Sequence, residues 1–177
     1  MSSSIEQNAV RLALHGIEHP VIVELGAHVG EEWEWLSALN PSVYVMVEPD
    51  ESNAAKISRR LGARVHVAAI HSETRMMPFF ASENHKSMNR ASGSLRKPTG
   101  HLQHFPEVTF TQRFVPCYRL DDLMLLYPVH AIDLLWCDIQ GAERDMIEGG
   151  RAALAKTRFM MIEAEPEVEL YEGQALK

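Results

Sequence analysis

The stretch Val21-Ile22-Val23-Glu24-Leu25-Gly26-Ala27-His28-Val29-Gly30 decides how this chain is read. Its apolar, β-branched start suits a strand buried on both faces of a parallel sheet. Gly26 and Gly30 permit positive φ and let a ligand approach the backbone without meeting a Cβ. A helix is expected to open at about Glu31. A strand, a glycine turn and a helix at the start of an α/β sheet mark the place where such folds take nucleotide-like cofactors. A tight βα turn that binds nothing is the alternative reading of these residues.

A dinucleotide fits this turn poorly. Counted from Gly26, the G-x-G-x-x-G/A fingerprint meets His28 and Glu31 where it needs glycine. A pyrophosphate also sits on a helix N-terminus, whose positive dipole end attracts anions. Glu31 and Glu32 occupy that end and would repel a diphosphate, which disfavours an NAD-dependent oxidoreductase. A cofactor with a positive centre and no phosphate fits better, and S-adenosyl-L-methionine is the common one.

The whole sequence bounds the function classes. Its 177 residues are read as a single domain over 1–177, long enough to bury roughly 70% of its unfolded surface. With 46% hydrophobic and 23% charged residues, the composition is that of an ordinary soluble globular protein. The net charge of −7 argues against a nucleic-acid partner, because such binders are usually basic. No apolar run approaches the roughly 20 residues of a membrane span. The N-terminus lacks a basic region followed by an apolar stretch. No membrane partner is therefore expected, and the cytoplasm is the expected location. Cys117 and Cys137 form neither a disulfide framework nor a metal-ligand spacing, so no metal is expected.

Upstream of the first strand, Ser4-Ile5-Glu6-Gln7 reads as a capping box. Ile5, Ala9, Leu12 and Ala13 then fall on one helical face, expected to pack on the sheet, and Gly16 is the expected stop. Downstream, the helix to Leu39 places Trp33, Leu36 and Leu39 on one face. Val43 to Val47 reads as a second buried strand with Glu48-Pro49-Asp50 at its tip. Glu48 lies 22 residues beyond Gly26, and doubly wound folds place a ribose-binding acid about 20 residues beyond the first glycine. A carboxylate suits that role because its two oxygens can take two O–H donors. The alternative is a charge at the start of the next helix, which Asp50 already caps. That helix runs from Glu51 to Leu61 and closes at Gly62. Arg64 to Ile70 reads as one strand, with Ala69 and Ile70 expected beside an adenine ring.

Arg75 to Phe80 reads as a short strand. Residues 81–104 carry Lys86, Arg90, Arg96 and Lys97 against Glu83, with His85, His101 and His104. A polar stretch this long reads as a functional lid or as a mobile loop. Its local positive charge could draw an anionic or polar substrate. Val108 to Val115 alternates like a half-exposed strand, which Pro116-Cys117-Tyr118 breaks. Arg119 to Leu126 reads as a short helix capped by Asp121 or Asp122. Ile132 to Ile139 is a core strand with Asp138 at its tip. Gly141 then turns into a helix that Gly149-Gly150 closes, and Ala152 to Ala155 is a short helical piece. Phe159 to Glu163 is the last clear strand. Glu163, Glu165, Glu167 and Glu169 read as an exposed edge or exit loop.

Strands alternating with helices give an α/β class, a doubly wound, mostly parallel sheet with helices on both faces. Three stretches together resemble the FkbM-type methyltransferases, a Rossmann-like branch of the S-adenosylmethionine-dependent enzymes. They are Val23 to Gly30, Val45-Met46-Val47-Glu48-Pro49, and Asp133 to Glu143. Arg119-Leu120-Asp121-Asp122-Leu123 and Met161-Ile162-Glu163 are similar to the same family. The ordered set covers about residues 20 to 165. The resemblance implies O-methylation of a hydroxyl on a small-molecule or glycan acceptor, sugar-like or another secondary metabolite. It implies Glu24, Gly26, Ala27, His28 and Gly30 at the methionine end of the cofactor, Glu48 with Pro49 at the ribose, Ala69 and Ile70 at the adenine, and Asp138 facing the transferable methyl group. His28 departs from the small or polar residue usual in the turn. Gln140 stands where the family pattern D-x-E-G-A-E carries a carboxylate. The chain also ends soon after the fifth core strand, where the fold normally adds two more, so the C-terminal strands are expected to be missing.

If the acceptor is a hydroxyl, its proton must leave, and a carboxylate within hydrogen-bond reach assists. Asp138 is the candidate for this catalytic role, with capping of the following helix as its alternative. A cofactor-binding or interaction module without catalysis is the competing function.

Overall fold

The computed structural model describes residues 3–84, 91–163 and 168–174. Helix α1 (Ser4–Ala13) precedes strand β1 (Val21–Leu25), and α2 (Trp33–Ser37), β2 (Val43–Val47), α3 (Glu51–Leu61) and β3 (Val65–His66) follow in alternation. Next come β4 (Ala69–Ile70), β5 (Arg75–Asn84), α4 (His101–His104) and β6 (Val108–Tyr118). The last part holds α5 (Leu120–Met124), β7 (Ile132–Cys137), α6 (Glu143–Gly149), α7 (Arg151–Leu154) and β8 (Thr157–Ile162). The main sheet runs β3-β2-β1-β7-β8, with every pairing parallel. A second sheet runs β4-β6-β5.

The apolar runs that predicted strands buried on both faces do bury both. Ile22 faces Leu134 across the β1–β7 pairing, and both pack with Val10 and Leu14 of α1 and with Trp35 and Leu36 around α2. The opposite faces of the same strands carry Val23, Leu25, Val45, Val47, Leu135 and Cys137, packed with Leu120 and Leu123 of α5 and Met146 of α6. Helices thus cover both faces, and the fold is doubly wound. The order in which successive strands are laid down reverses between β1 and β7. Their carboxyl ends therefore splay loops to opposite sides and open a crevice, the usual ligand position in such sheets.

Several expectations shift. The capping box is one residue earlier: Ser3 is the N-cap of α1, and its hydroxyl accepts from the Glu6 N–H while the Glu6 carboxylate accepts from the Ser3 N–H. The buried face of α1 carries Val10 and Leu14, whereas Ile5 and Leu12 are each 78% exposed. The strand expected over Arg64 to Ile70 is two strands in two sheets. The Ala68 N–H turns back to the His66 carbonyl (3.0 Å), which breaks the ladder and sends β4 to pair with β6. The strand expected from Arg75 to Phe80 continues to Asn84, paired antiparallel with β6 throughout. Pro116 does not end β6, which extends to Tyr118. It precedes the residues that pair with β4, so it lies where a strand edge can do without an N–H. Neither Asp121 nor Asp122 caps α5. Asp121 accepts from the Ala153 N–H (2.8 Å) and Asp122 from the Thr74 hydroxyl.

The stretch 81–104 is not one loop. Residues 81–84 belong to β5, and residues 85–90, with Lys86, Arg90 and His85, lie outside the described residues. Ser94 bridges back to Phe80, the Ser92 N–H donates to the Ser82 hydroxyl (3.0 Å), and Gly93 lies flat on the Phe79 ring, where a Cβ would come within 2.6 Å. The described basic residues here are engaged: Arg96 with Asp145 and Lys97 with Glu172, while His101 is buried. The part of the expected positive charge carried by Arg96 and Lys97 is paired with carboxylates.

Candidate functional site

A cleft of about 580 Å³ opens at the switch point, lined by the tips of β1, β2, β7 and β8, by β4, and by residues 91–95. Its floor is stitched together by backbone hydrogen bonds. The Gly26 and Ala27 N–H groups both donate to the Val47 carbonyl (2.9 and 3.0 Å), and the Asp138 N–H donates to the Leu25 carbonyl (3.0 Å). Gly26 has φ +82°, and a Cβ there would lie 1.7 Å from the Asp138 carbonyl oxygen. Glycine is required here by both the torsion and the contact. Through it the β1 turn and the β7 tip touch.

On the β1–β2 side the cleft is walled by acids. Glu24 is 1% exposed, accepts a hydrogen bond from the Tyr44 hydroxyl, and has its carboxyl pushed up to about 8 by burial. Glu48 is 5% exposed. One of its oxygens accepts from the His28 N–H and the other from the Asp50 N–H, each at 2.8 Å. The Asn53 side chain also hydrogen-bonds it, which leaves a carboxylate's fourth acceptor site, so Glu48 both ties the β1 turn to the β2 tip and can still accept from a hydroxyl. Burial pushes its carboxyl up to about 8 against these hydrogen bonds. Glu32 is also buried, with the Trp35 indole N–H donating to it. Trp33 stacks on Tyr44 (5.2 Å between centroids), and Trp35 meets Trp136 edge-on at 5.5 Å.

The structure brings Glu24, Gly26, Ala27, His28, Glu48, Pro49, Ala69, Ile70 and Asp138 to this one cleft. Gly30 is not on its wall. It turns at φ +75° against α3, where a Cβ would meet Leu61 at 2.7 Å and Ile57 at 3.4 Å. That glycine serves helix packing. His28 lies in the left-handed region at φ +47°, and its Nδ1 is 3.6 Å from Glu31. Burial lowers its pKa, so the ring is neutral near pH 7.

On the β7–β8 side, Asp138 does not cap α6, whose N-cap is Ala142 without a side-chain bond. Its Oδ1 accepts from the Gln140 amide nitrogen at 2.6 Å, and Glu163, one residue past β8, lies beside it in the strand register. Burial first, and the Glu163 charge second, push Asp138 up to about 7. The Tyr171 hydroxyl lies 3.1 Å from the Gln140 side-chain oxygen and 3.0 Å from the Ser92 carbonyl. The Ser94 hydroxyl donates to the Gln140 carbonyl at 2.6 Å. Glu32, Glu163 and Gln140, none of them among the expected site residues, and residues 91–95 of the expected lid stretch also join the cleft. The i,i+3 spacing of Glu32 and Trp35 was the available signal for the first; the others need the fold.

Glu6, Glu24, Glu31, Glu32 and Glu48 line one side of the cleft, Asp138 and Glu163 the other, and among the described residues no lysine or arginine lines it. Such a wall favours a ligand that brings positive charge or hydroxyl donors. It disfavours phosphate, which binds where arginine, lysine or free N–H groups converge.

The family model described as the methyltransferase FkbM domain matches residues 24–174. The 2-O-methyltransferase NoeI of Sinorhizobium fredii (strain NBRC 101917 / NGR234) is 33% identical over 181 aligned residues, covering 98% of this chain and 74% of that protein. The crystal structure of methyltransferase FkbM from Methylobacillus flagellatus KT superposes with a TM-score of 0.51 at 18% identity, over 83% of this chain and 33% of that one. The present chain thus spans about a third of that structure's length, and the likeness there is one of fold. On the matched domain and the relative together, this chain belongs to the FkbM methyltransferase family and is a methyltransferase.

Proposed function

We propose that this chain is a single-domain S-adenosyl-L-methionine-dependent O-methyltransferase acting on a hydroxyl of a small-molecule or glycan acceptor. The observation that carries the cofactor reading is the wall of acids without lysine or arginine. S-adenosyl-L-methionine brings a sulfonium and an α-ammonium and no phosphate, which fits that wall. Glu24 and Glu32 would hold the ammonium end, Glu48 the ribose hydroxyls, and Ala69 with Ile70 the adenine face. When bound, the cofactor supplies a methyl group already activated by the adjacent positive sulfur. The chain's own residues then align the acceptor with it and keep water out. The relative's name supports an oxygen acceptor. A cytoplasmic location belongs to the same proposal; among the described residues no helix is long and apolar enough to cross a membrane. Neither a nucleic acid nor a membrane is proposed as partner.

The test is a pair of melting curves. S-adenosylhomocysteine at a hundredfold excess over its Kd is expected to stabilise the protein by about 2.7 kcal/mol, whereas NAD leaves the midpoint unmoved. A midpoint that moves with NAD alone overturns the cofactor assignment. A panel of methyl glycosides, assayed for methyl transfer from S-adenosylmethionine, then tests the acceptor class.

A further inference from the structure

We propose that Glu163 is a second catalytic carboxylate, paired with Asp138 as one proton-holding unit, and that Gln140 and Tyr171 position that unit. The inference rests on the O-methyl-transfer reading and adds to it the route by which the acceptor's proton leaves.

The geometry is set by the sheet. β7 and β8 are neighbouring parallel strands, with Cys137 opposite Ile162. The Glu163 N–H donates to the Cys137 carbonyl at 2.9 Å, so the ladder carries one residue past the strands and delivers the next side chains, Asp138 and Glu163, to the same lip of the cleft. Asp138 is the inner member and Glu163 the exposed one. The inner carboxyl is fixed from its other side. Gln140, held at φ +52°, donates to Asp138 through its nitrogen and lies 3.1 Å from the Tyr171 hydroxyl through its oxygen. Tyr171 is 1% exposed. A glutamate at 140 could not donate to Asp138 when ionised and would add a third charge to the pair. The amide therefore orients Asp138 without repelling it.

The charged and titratable groups around Asp138 are Glu163 from β8, Glu143 at the start of α6, Tyr171 from the C-terminal segment and Cys137 on its own strand. Residues 91–95 bring no charge, and Arg96 is turned to Asp145 at the first turns of α6. Two carboxyls set side by side by the strand register, with no cation between them among the described residues, cannot both ionise easily, so Asp138 holds its proton above the usual carboxylate range. Once that proton is lost to solvent, the pair can take another from a neutral donor. In the balanced step the acceptor oxygen gains the methyl group. The electron pair of the broken carbon–sulfur bond stays with the donor. The hydroxyl proton moves to an oxygen of the pair and leaves to water through the exposed Glu163.

The experiment uses the full chain with carboxyl-¹³C aspartate and glutamate, titrated by NMR, with Asp138→Asn assigning the Asp138 signal. Asp138 is expected to titrate above the usual carboxylate range. Glu163→Gln lowers the Asp138 midpoint by at least one pH unit, Gln140→Leu raises it, and Glu163→Asp keeps the elevated Asp138 midpoint. Opposite signs from two neighbours are not what general loosening of the site produces. Glu163→Gln also leaves S-adenosylhomocysteine affinity within about threefold of wild type while turnover on the methyl-glycoside panel falls at least tenfold. An Asp138 midpoint that ignores Glu163→Gln, with S-adenosylhomocysteine still bound, overturns the pair and leaves the cofactor reading standing. Loss of S-adenosylhomocysteine binding in wild type, or no turnover on the panel, overturns both.

Discussion

The two sides of the cleft are built in different ways. The β1–β2 side is assembled from residues close in sequence: a glycine turn, an acid on the strand before it and an acid at the next strand tip. Backbone N–H groups hold that side in place, with Glu48 clasped by His28 and Asp50. The β7–β8 side is assembled from four distant segments, joined through side chains: Asp138, Gln140, Glu163, Ser92 to Ser94 and Tyr171. A backbone-held wall tolerates side-chain change poorly at its glycines and well elsewhere. A side-chain-held wall can vary from protein to protein on a constant frame. The first suits a ligand common to a family, the second one that differs between its members.

The strongest challenge to this division is Gly26→Ala. The added methyl would lie 1.7 Å from a backbone oxygen, at a torsion of +82°. Neither neighbour is a flexible side chain that can swing away. The β1 turn and the β7 tip must separate, and the expected cost is above about 3 kcal/mol of stability. Where the protein still folds, S-adenosylhomocysteine affinity is expected to fall at least a hundredfold by calorimetry. Unchanged affinity would show that the two sides need not touch.

Glu48→Gln probes the clasp and its charge. The amide nitrogen cannot accept from a backbone N–H, so one of the two turn bonds is lost, at about 1–3 kcal/mol. Losing the carboxylate toward ligand hydroxyls is expected to weaken S-adenosylhomocysteine binding by about ten- to a hundredfold. The pH dependence carries a sign. Glu48 and Glu24 titrate near about 8 in the folded chain, against an ordinary 4.5. Between those values the folded state keeps protons that the unfolded state has lost. Their contribution to stability is therefore largest below about 4.5 and declines as pH rises through about 8. A ligand that favours the ionised forms reverses the trend for binding. Affinity is expected to rise from pH 6 to about 8 and then level off. The slope is expected to be shallower in Glu48→Gln; a wild-type affinity flat across this range contradicts the assignment.

Gly30→Ala separates packing from binding within one turn. Positive φ costs an alanine about 1–2 kcal/mol, and Leu61 must shift to admit the methyl. The melting point is expected to fall while S-adenosylhomocysteine affinity stays within about twofold. An affinity loss of tenfold or more would return Gly30 to the cofactor wall that the family resemblance implies for it.

How far the sequence could be read follows the same division. Strand periodicity, the glycine turn and the offset from Gly26 to Glu48 are short-range signals, and they locate the β1–β2 side and the order of the main sheet. The Arg64 to Ile70 strand misled because the turn at Val67-Ala68 carries no glycine or proline. Only pairing partners in two different sheets reveal the break. Pro116 misled in the opposite sense, since a proline is tolerated where no neighbour needs its N–H. Glu163 and Tyr171 lie far from Asp138 in the chain. No local pattern brings them together; the β7–β8 register and the fold of residues 168–174 do.

His28 gives the smallest expected effect and the finest test of the backbone-held wall. It stands in the turn where the family resemblance implies a small or polar residue, at φ +47°. What the turn takes from it is the N–H donated to Glu48, which any residue but proline supplies. Asparagine tolerates the left-handed region, so His28→Asn preserves the turn, removes the neutral ring and its approach to Glu31, and widens the cleft. Stability is expected to change by less than about 1 kcal/mol and S-adenosylhomocysteine affinity by less than about threefold. A tenfold loss would mean that the imidazole itself holds the ligand. The β1–β2 side would then depend on a side chain as the β7–β8 side does, and the contrast between the two walls would fail at its centre.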